Sequence, residues 1–244
     1  AKLPVKLGVM TITPSYLRYS GEKFVTDKTG TVLGYTSKLN MPAIGLSLKA
    51  GDLSLDGDFQ YITGKQRNNT TGVNTKVKAY ASYVNTGYRA SDMFKLNLFG
   101  LYATGEDAKS DTTTSFQTAC MDEIEVGPMF IINDNGNINQ VGVTTEYDKI
   151  TEGLQMAGFA SEFKIAKLTA LGQVAYARTA SKKVVKDRAL GTEIDLRLSY
   201  EVAPKTALWV EGAYLAAGKY IKTVNTTSGK QNPVYYAAGL MTKF

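Results

Sequence analysis

The sequence predicts an all-β fold: a transmembrane, antiparallel, up-and-down β-barrel of about 12 strands, with about 10 or 14 as the neighbouring solutions. Three observations predict it. Hydrophobicity alternates with a period of two along most of the chain. Connectors alternate between short and long. The last alternating segment ends on an aromatic residue.

The 244 residues suffice for one large all-β domain, and residues 1–244 are read as one. Mean hydropathy is −0.16, so bulk composition does not mark a membrane protein. No apolar run approaches the ~18 residues of a spanning helix. A chain of this kind that spans a membrane must do so as a closed barrel, because lipid offers no water to an open sheet edge. The small residue Ala1 fits a processed, mature chain and equally an arbitrary boundary.

The elements follow in order. Two long segments, 5–19 and 31–50, open the chain, the second bent or interrupted near Pro42. Leu53, Leu55, Gly57, Phe59 and Tyr61 then alternate with Ser54, Asp56, Asp58 and Gln60. Val77, Ala79, Ala81 and Tyr83 alternate with Lys76, Lys78, Tyr80 and Ser82. Phe94, Leu96, Leu98, Gly100 and Tyr102 alternate with Lys95, Asn97 and Phe99. Segment 153–163 is a weaker strand. Leu168, Ala170, Gly172, Val174 and Tyr176 form the next apolar row. Ile194, Leu196, Leu198 and Tyr200 alternate with Glu193, Asp195, Arg197, Ser199 and Glu201. Segment 206–216 follows, and the last strand reads Val234, Tyr236, Ala238, Leu240, Thr242, Phe244. In a barrel the apolar row faces lipid and the charged row faces the lumen.

Connectors 50–52, 87–93, 165–167 and 202–205 are short, whereas 20–30, 64–74, 104–122, 179–190 and 218–232 are longer and polar. Short periplasmic turns and long extracellular loops are the habit of bacterial outer-membrane barrels, and a sandwich has no reason to alternate so regularly. The strand number hinges on residues 104–151, read as a long loop or an extra hairpin. Segments 126–132 and 139–147 flank Asn133-Asp134-Asn135-Gly136, a hairpin signal. Joined to the wall they give about 12 strands, the favoured reading; folded into the lumen as a constriction they leave about 10. Phe244 is read as the assembly signal for the barrel-assembly machinery. Tyr19, Tyr61, Tyr83, Tyr88, Phe94, Tyr102, Tyr176, Tyr200, Tyr214 and Tyr220 fall where interfacial girdles belong.

Absences narrow the chemistry. The chain has no histidine, which lowers the prior for general-base hydrolysis and for zinc or haem sites. Its one cysteine, Cys120, rules out an intramolecular disulfide or a CxxC motif. The net charge of +6 is scattered rather than striped, and its densest run, 182–188, lies between strand patterns as a solvated loop, so no nucleic-acid partner is implied.

The run from Leu190-Gly191-Thr192-Glu193-Ile194-Asp195-Leu196 to Tyr200, then Leu208 to Tyr214, then Gly218-Lys219-Tyr220, resembles the C-terminal end of alginate-export-type porins and related bacterial porins. Residues 98–107 and Val126-Gly127-Pro128 followed by Asn133-Asp134 resemble further segments of the same family. The resemblance covers about the last three-fifths of the chain, which is shorter than such porins, so it reads as a short or trimmed member. It implies a diffusion channel in the bacterial outer membrane and does not imply alginate as cargo.

In a pore, function lies on the inward face. The inward row of the alternation is Asp56, Asp58, Lys76, Lys78, Lys95, Glu193, Asp195, Arg197, Glu211 and Lys243. Opposed acids and bases in one lumen set up a transverse field that suits zwitterionic or polar solutes. Residues 133–139 have oxygen spacing like a calcium loop, with Asp134, Asn135 and Asn137 as weak metal candidates, but no distal bidentate Glu follows and a plain turn is the simpler reading. Asp122, Glu123 and Glu125 could hold a divalent ion or face cations that bridge lipopolysaccharide.

The expected function is a porin passing small polar or charged solutes, with no cofactor and no catalysis. The expected partners are outer-membrane lipid and lipopolysaccharide, and a homo-oligomer or protein partner stays open. The rival is a plugged structural barrel acting through its loops.

Overall fold

The structure is a computed structural model that describes residues 2–26, 32–105, 112–114, 129, 153–181, 186–224 and 232–242. The strands are β1 (Val5–Leu7), β2 (Met10–Thr26), β3 (Val32–Ala50), β4 (Leu53–Asn68), β5 (Asn74–Arg89), β6 (Phe94–Ala103), β7 (Thr112–Thr113), β8 (Leu154–Ile165), β9 (Leu168–Thr179), β10 (Ala189–Ala203), β11 (Thr206–Ala217) and β12 (Val234–Thr242). One short helix, α1 (Lys219–Val224), lies between β11 and β12. All of them except α1 belong to one 12-stranded sheet. Its path is a meander from β1 to β12 in which every neighbour is antiparallel, with β7 added parallel to the start of β5. Among the described residues, no ladder joins β12 to β1 or β2.

The strand number of 12 is reached by a different route from the expected one. β6 pairs directly with β8 along its whole length, from Phe94 opposite Phe163 to Ala103 opposite Leu154. Nothing from residues 104–153 stands between them, and the hairpin segments 126–132 and 139–147 lie outside the described residues apart from Met129. The two extra strands are the short β1 and β7. The first long segment is also a hairpin rather than one strand. Gly8 takes φ +61 and reverses the chain, so Leu7 pairs with Met10. A positive φ is readily reached only without a Cβ.

β3 runs unbroken through Pro42, which pairs with Tyr16 of β2. On its other side the ladder to β4 skips from Asn40–Thr63 to Ala43–Gln60. Proline has no N–H to donate, so the interruption near Pro42 is confined to one edge of the strand.

The connectors keep their alternation. Two-residue turns at Gly51-Asp52, Ala166-Lys167 and Pro204-Lys205 close one end of the sheet. Gly51, Ala166 and Lys205 carry φ of 60, 49 and 63, the left-handed values that tight hairpin turns demand.

Candidate functional site: the inner face of the sheet

The side chains are arranged inside out relative to a water-soluble protein. On β10, Glu193 and Asp195 are 0% and 2% exposed, while Ile194 and Leu196, which alternate with them, are 56% and 53% exposed. The same parity runs through β9, where Gln173 and Ala175 are buried and Val174 and Tyr176 are exposed. A soluble sheet hides its apolar row; this one hides the charged row and presents the apolar row outward.

The outward face carries two aromatic belts. Nearer the long loops stand Tyr16, Tyr61, Tyr80, Tyr102, Tyr176, Tyr214 and Tyr236; nearer the tight turns stand Tyr88, Phe94, Phe163 and Tyr200. Tyr80 stacks on Tyr102 with ring centroids 5.3 Å apart, and Phe94 meets Phe163 edge-on at 6.5 Å. Tyr80 and Tyr88 are eight residues apart on β5, which is ~27 Å along a strand. At the usual tilt of ~40° this gives a band ~20 Å tall, close to the apolar height of an outer membrane. Three aromatics expected in the girdles, Tyr19, Tyr83 and Tyr220, turn inward and pack against buried apolar clusters.

The inner face is built from the opposite row. On β4, Asp56 accepts a hydrogen bond of 2.7 Å from the Ser47 hydroxyl, and Asp58 lies over Gly45 of β3, whose missing side chain leaves it room. Asn85 of β5 is the next residue across from Asp56. Lys95 of β6 stands between Arg89 and Glu162 in the ladder. Asp195 accepts a 2.7 Å bond from the Gln173 amide. Arg197 is paired with Glu211 across the β10–β11 ladder and lies over the Trp209 ring at 5.4 Å from its centroid. The Tyr235 hydroxyl donates to the other Glu211 oxygen at 2.8 Å.

The sequence-derived inward row needs one correction. Lys76 and Lys78 stand on the outer face with Tyr80, whereas Val77 and Ala79 are each 1% exposed and point inward. The alternation alone places Val77 and Ala79 on the lipid-facing row. Near the long-loop end of β5 the polarity reverses, because there Val77 and Ala79 pack in an inner apolar cluster while Lys76 and Lys78 stay exposed. Lys243, Phe244, Asp134, Asn135 and Asn137 lie outside the described residues, as do Cys120 and residues 121–125. Without Lys76 and Lys78 the balance of the inner row tips. Asp56, Asp58, Glu193 and Asp195 remain in the middle of the wall, and the bases of the set that remain there are Lys95 and Arg197, the latter paired with Glu211.

Towards the long loops the inner face turns apolar. Leu39, Met41, Ile62, Val77, Ala79 and Ala103 form one buried cluster on β3–β6. A second spans β6 to β11 and takes in Met129 together with Tyr220 and Ile221 of α1. The helix therefore folds back over the inner face of β10 and β11. Close packing here relies on a glycine. Phe99 lies over Gly158, where a Cβ would meet its ring at 2.3 Å. Among the described residues, no group of three or more acids or cysteines converges as a metal site.

Sequence reasoning missed Ser47, Asn85, Gln173, Trp209 and Tyr235 on this face. Their parity was the available signal, since each shares a row with an acid already singled out.

The wall and its inner row can be set beside known structures. The chain superposes on the outer-membrane channel DcaP of Acinetobacter baumannii over 99% of its length, with a TM-score of 0.54 and 14% identity. It spans 61% of that channel's length. It also matches the NanC porin, covering 97% of this chain and 94% of the porin at TM-score 0.43 and 12% identity. OccK3 (OpdO) of Pseudomonas aeruginosa matches over 98% of this chain and 67% of its own, at TM-score 0.46 and 11% identity. These structural neighbours are outer-membrane porins and channels. The fold is that of an outer-membrane β-barrel. No protein-family model and no curated protein sequence matches the chain.

Proposed function

We propose that this chain is a passive diffusion channel of the bacterial outer membrane for small polar or charged solutes, preferring cations. The observation that carries the reading is the inverted burial: Glu193 and Asp195 hidden, Ile194 and Leu196 exposed. An apolar outer band demands lipid, and a charged inner row is useful only to solutes or to internal pairing. The cation preference rests on Asp56 and Asp58, the acids of the inner row that stay open to solvent once Lys76 and Lys78 are assigned to the outside. Fixed negative charge in a low-dielectric wall concentrates counter-ions of opposite sign. The seam between β12 and the β1–β2 hairpin closes in this reading, since a sheet edge left open in lipid forfeits hydrogen bonds that nothing replaces. The resemblance of residues 190–220 to alginate-export-type porins supports the same class and leaves the cargo open. The reading invokes no cofactor and no catalysis.

A second reading is favoured by one observation. Met129, Tyr220 and Ile221 pack into the inner apolar cluster, so the long-loop end of the lumen is narrowed or plugged. The chain would then act through its loops.

Single-channel recording in planar bilayers separates the two. Stable conductance steps with a reversal potential of cationic sign in a salt gradient support the channel. Silence from demonstrably inserted protein removes it in favour of the plugged barrel, and an anionic sign removes the cation preference alone.

A further inference from the structure

The outer face of β2–β5 carries cations in an arrangement that a sheet does not adopt for its own stability. Lys38 of β3 is directly opposite Lys65 of β4, and Lys65 is directly opposite Lys76 of β5. Three like charges thus stand in one cross-strand row, where neighbouring side chains are in contact and like charges repel. The adjacent row runs Arg18, Asn40, Thr63, Lys78, with a cation at each end. Arg67 lies two residues beyond Lys65 on the same side of β4. All six side chains are exposed, and among the described residues none has an ion-pair partner. The acid described nearby, Glu22, is engaged with the Thr36 hydroxyl at 3.5 Å.

Their height is fixed by the aromatic belt. Lys78 lies two residues beyond Tyr80, Arg18 two beyond Tyr16 and Lys65 four beyond Tyr61, each towards the long loops. They therefore sit just above the apolar band, at the level of lipid headgroups and not in hydrocarbon. In the other half of the sheet, among the described residues, the cations above Tyr176 are engaged: Arg178 donates to Gln155 at 2.6 Å and Arg188 to the same oxygen at 2.9 Å.

We propose that the Lys38–Lys65–Lys76 row, flanked by Arg18, Arg67 and Lys78, is a docking site for the phosphate groups of a phosphorylated outer-leaflet glycolipid of the lipopolysaccharide type. The proposal rests on the membrane reading above. Phosphate oxygens between adjacent ammonium groups convert a repulsive row into charge-assisted hydrogen bonds, and the belt tyrosines below supply a surface for the acyl chains. Among the described residues, cations without an ion-pair or hydrogen-bond partner form a cross-strand row on this side, so the lipid occupies a fixed position rather than a general annulus.

The test compares the whole chain with the triple variant Lys38→Gln/Lys65→Gln/Lys76→Gln, which removes the charge and keeps a polar side chain. Both are folded into phosphatidylcholine vesicles, with and without bis-phosphorylated lipid A. The expected result is equal folding in phosphatidylcholine. Lipid A should then raise the melting temperature of the wild type, and lipid retained on detergent-solubilised protein, read by native mass spectrometry, should fall at least tenfold in the variant. Equal retention by both proteins would overturn the proposal, as would equal protection of the wild type by dephosphorylated lipid or by inorganic phosphate. Failure of the wild type to insert into phosphatidylcholine would instead strike the membrane reading, and the docking site would fall with it.

Discussion

Strands β3–β5 and β9–β11 carry the same kind of alternating sequence but differ in what meets each face. On β4, Asp56 and Asp58 face inward and remain open to solvent, while the outer rim above them bears the lysine row. On β10, Glu193 and Asp195 face inward too, yet they are buried, and on that side α1 and Met129 join the inner apolar cluster. Among the described residues the outer rim there carries Arg178 and Arg188, both hydrogen-bonded to Gln155, and no cross-strand row of lysines. Acids in the same register thus become part of an open wall in one half and of a packed interior in the other. The alternation decides which face a residue takes; the loop that folds over that face decides what the residue can do.

The largest expected effect breaks the distinction between outer and inner faces. Leu196 lies midway along the outer face of β10, between Thr192, opposite Tyr176 in the upper belt, and Tyr200 in the lower. Leu196→Arg should cost about 2–4 kcal/mol of folding stability in vesicles, because a cation at the bilayer midplane is poorly solvated. Denaturant titration in lipid checks this; a loss under about 0.5 kcal/mol, usual for an exposed position in water, would argue against a lipid-facing row.

The next prediction addresses the covered half. Ile221→Ala should weaken the packing of α1 on β10 and β11 and cost about 2 kcal/mol, the lower end for a buried isoleucine truncated in a site that can relax. If the helix narrows the lumen, conductance should rise in the same variant. Conductance unchanged alongside lowered stability would leave α1 with a purely structural part.

A smaller effect tests the open half and the corrected orientation of β5 together. Asp56→Asn/Asp58→Asn should move the reversal potential several-fold towards equal cation and anion permeability, and Lys95→Gln should move it the opposite way. Lys78→Gln, on the outer face, should leave it in place. A shift from Lys78→Gln as large as that from Lys95→Gln would return Lys78 to the lumen.

The smallest effect concerns the tight-turn end that both halves share. Ala166 holds φ 49 in its two-residue turn, a conformation that costs an L-residue about 1 kcal/mol. Ala166→Gly should therefore stabilise by about 0.5 kcal/mol in the same titration, since the added freedom of glycine in the unfolded chain offsets part of the gain.

Most of the wall was legible because lipid imposes a strict period of two on whatever faces it. The rows of β6, β9 and β10 are read directly from residues 94–102, 168–176 and 194–200. The legibility ends where the lipid ends. β4 and β5 continue past the last apolar residue into Lys65, Arg67 and Lys76, and β2 continues past Tyr19 through Ser20-Gly21-Glu22-Lys23, so backbone pairing persists where the hydrophobic period has stopped. The alternation therefore ends at Tyr19 and Tyr61, and by itself it places Lys76 and Lys78 on the wrong face. Of the candidate inner row, the acids were legible from parity. The pairing of Arg197 with Glu211 and Tyr235 was not, since it joins three strands whose register no single segment reveals.

By itself the sequence determined the class of fold, the alternation of turns and loops, and the two faces of each strand across the apolar band. The physical reason is local: adjacent side chains point to opposite sides of a strand, and lipid accepts only one kind of them. The tertiary structure alone decided that β6 meets β8 across fifty residues, that α1 closes over β10, and that three lysines from three strands stand side by side. Those facts depend on register and on long-range closure, which are set by pairing between segments distant in the chain and leave no trace in the pattern of any one of them.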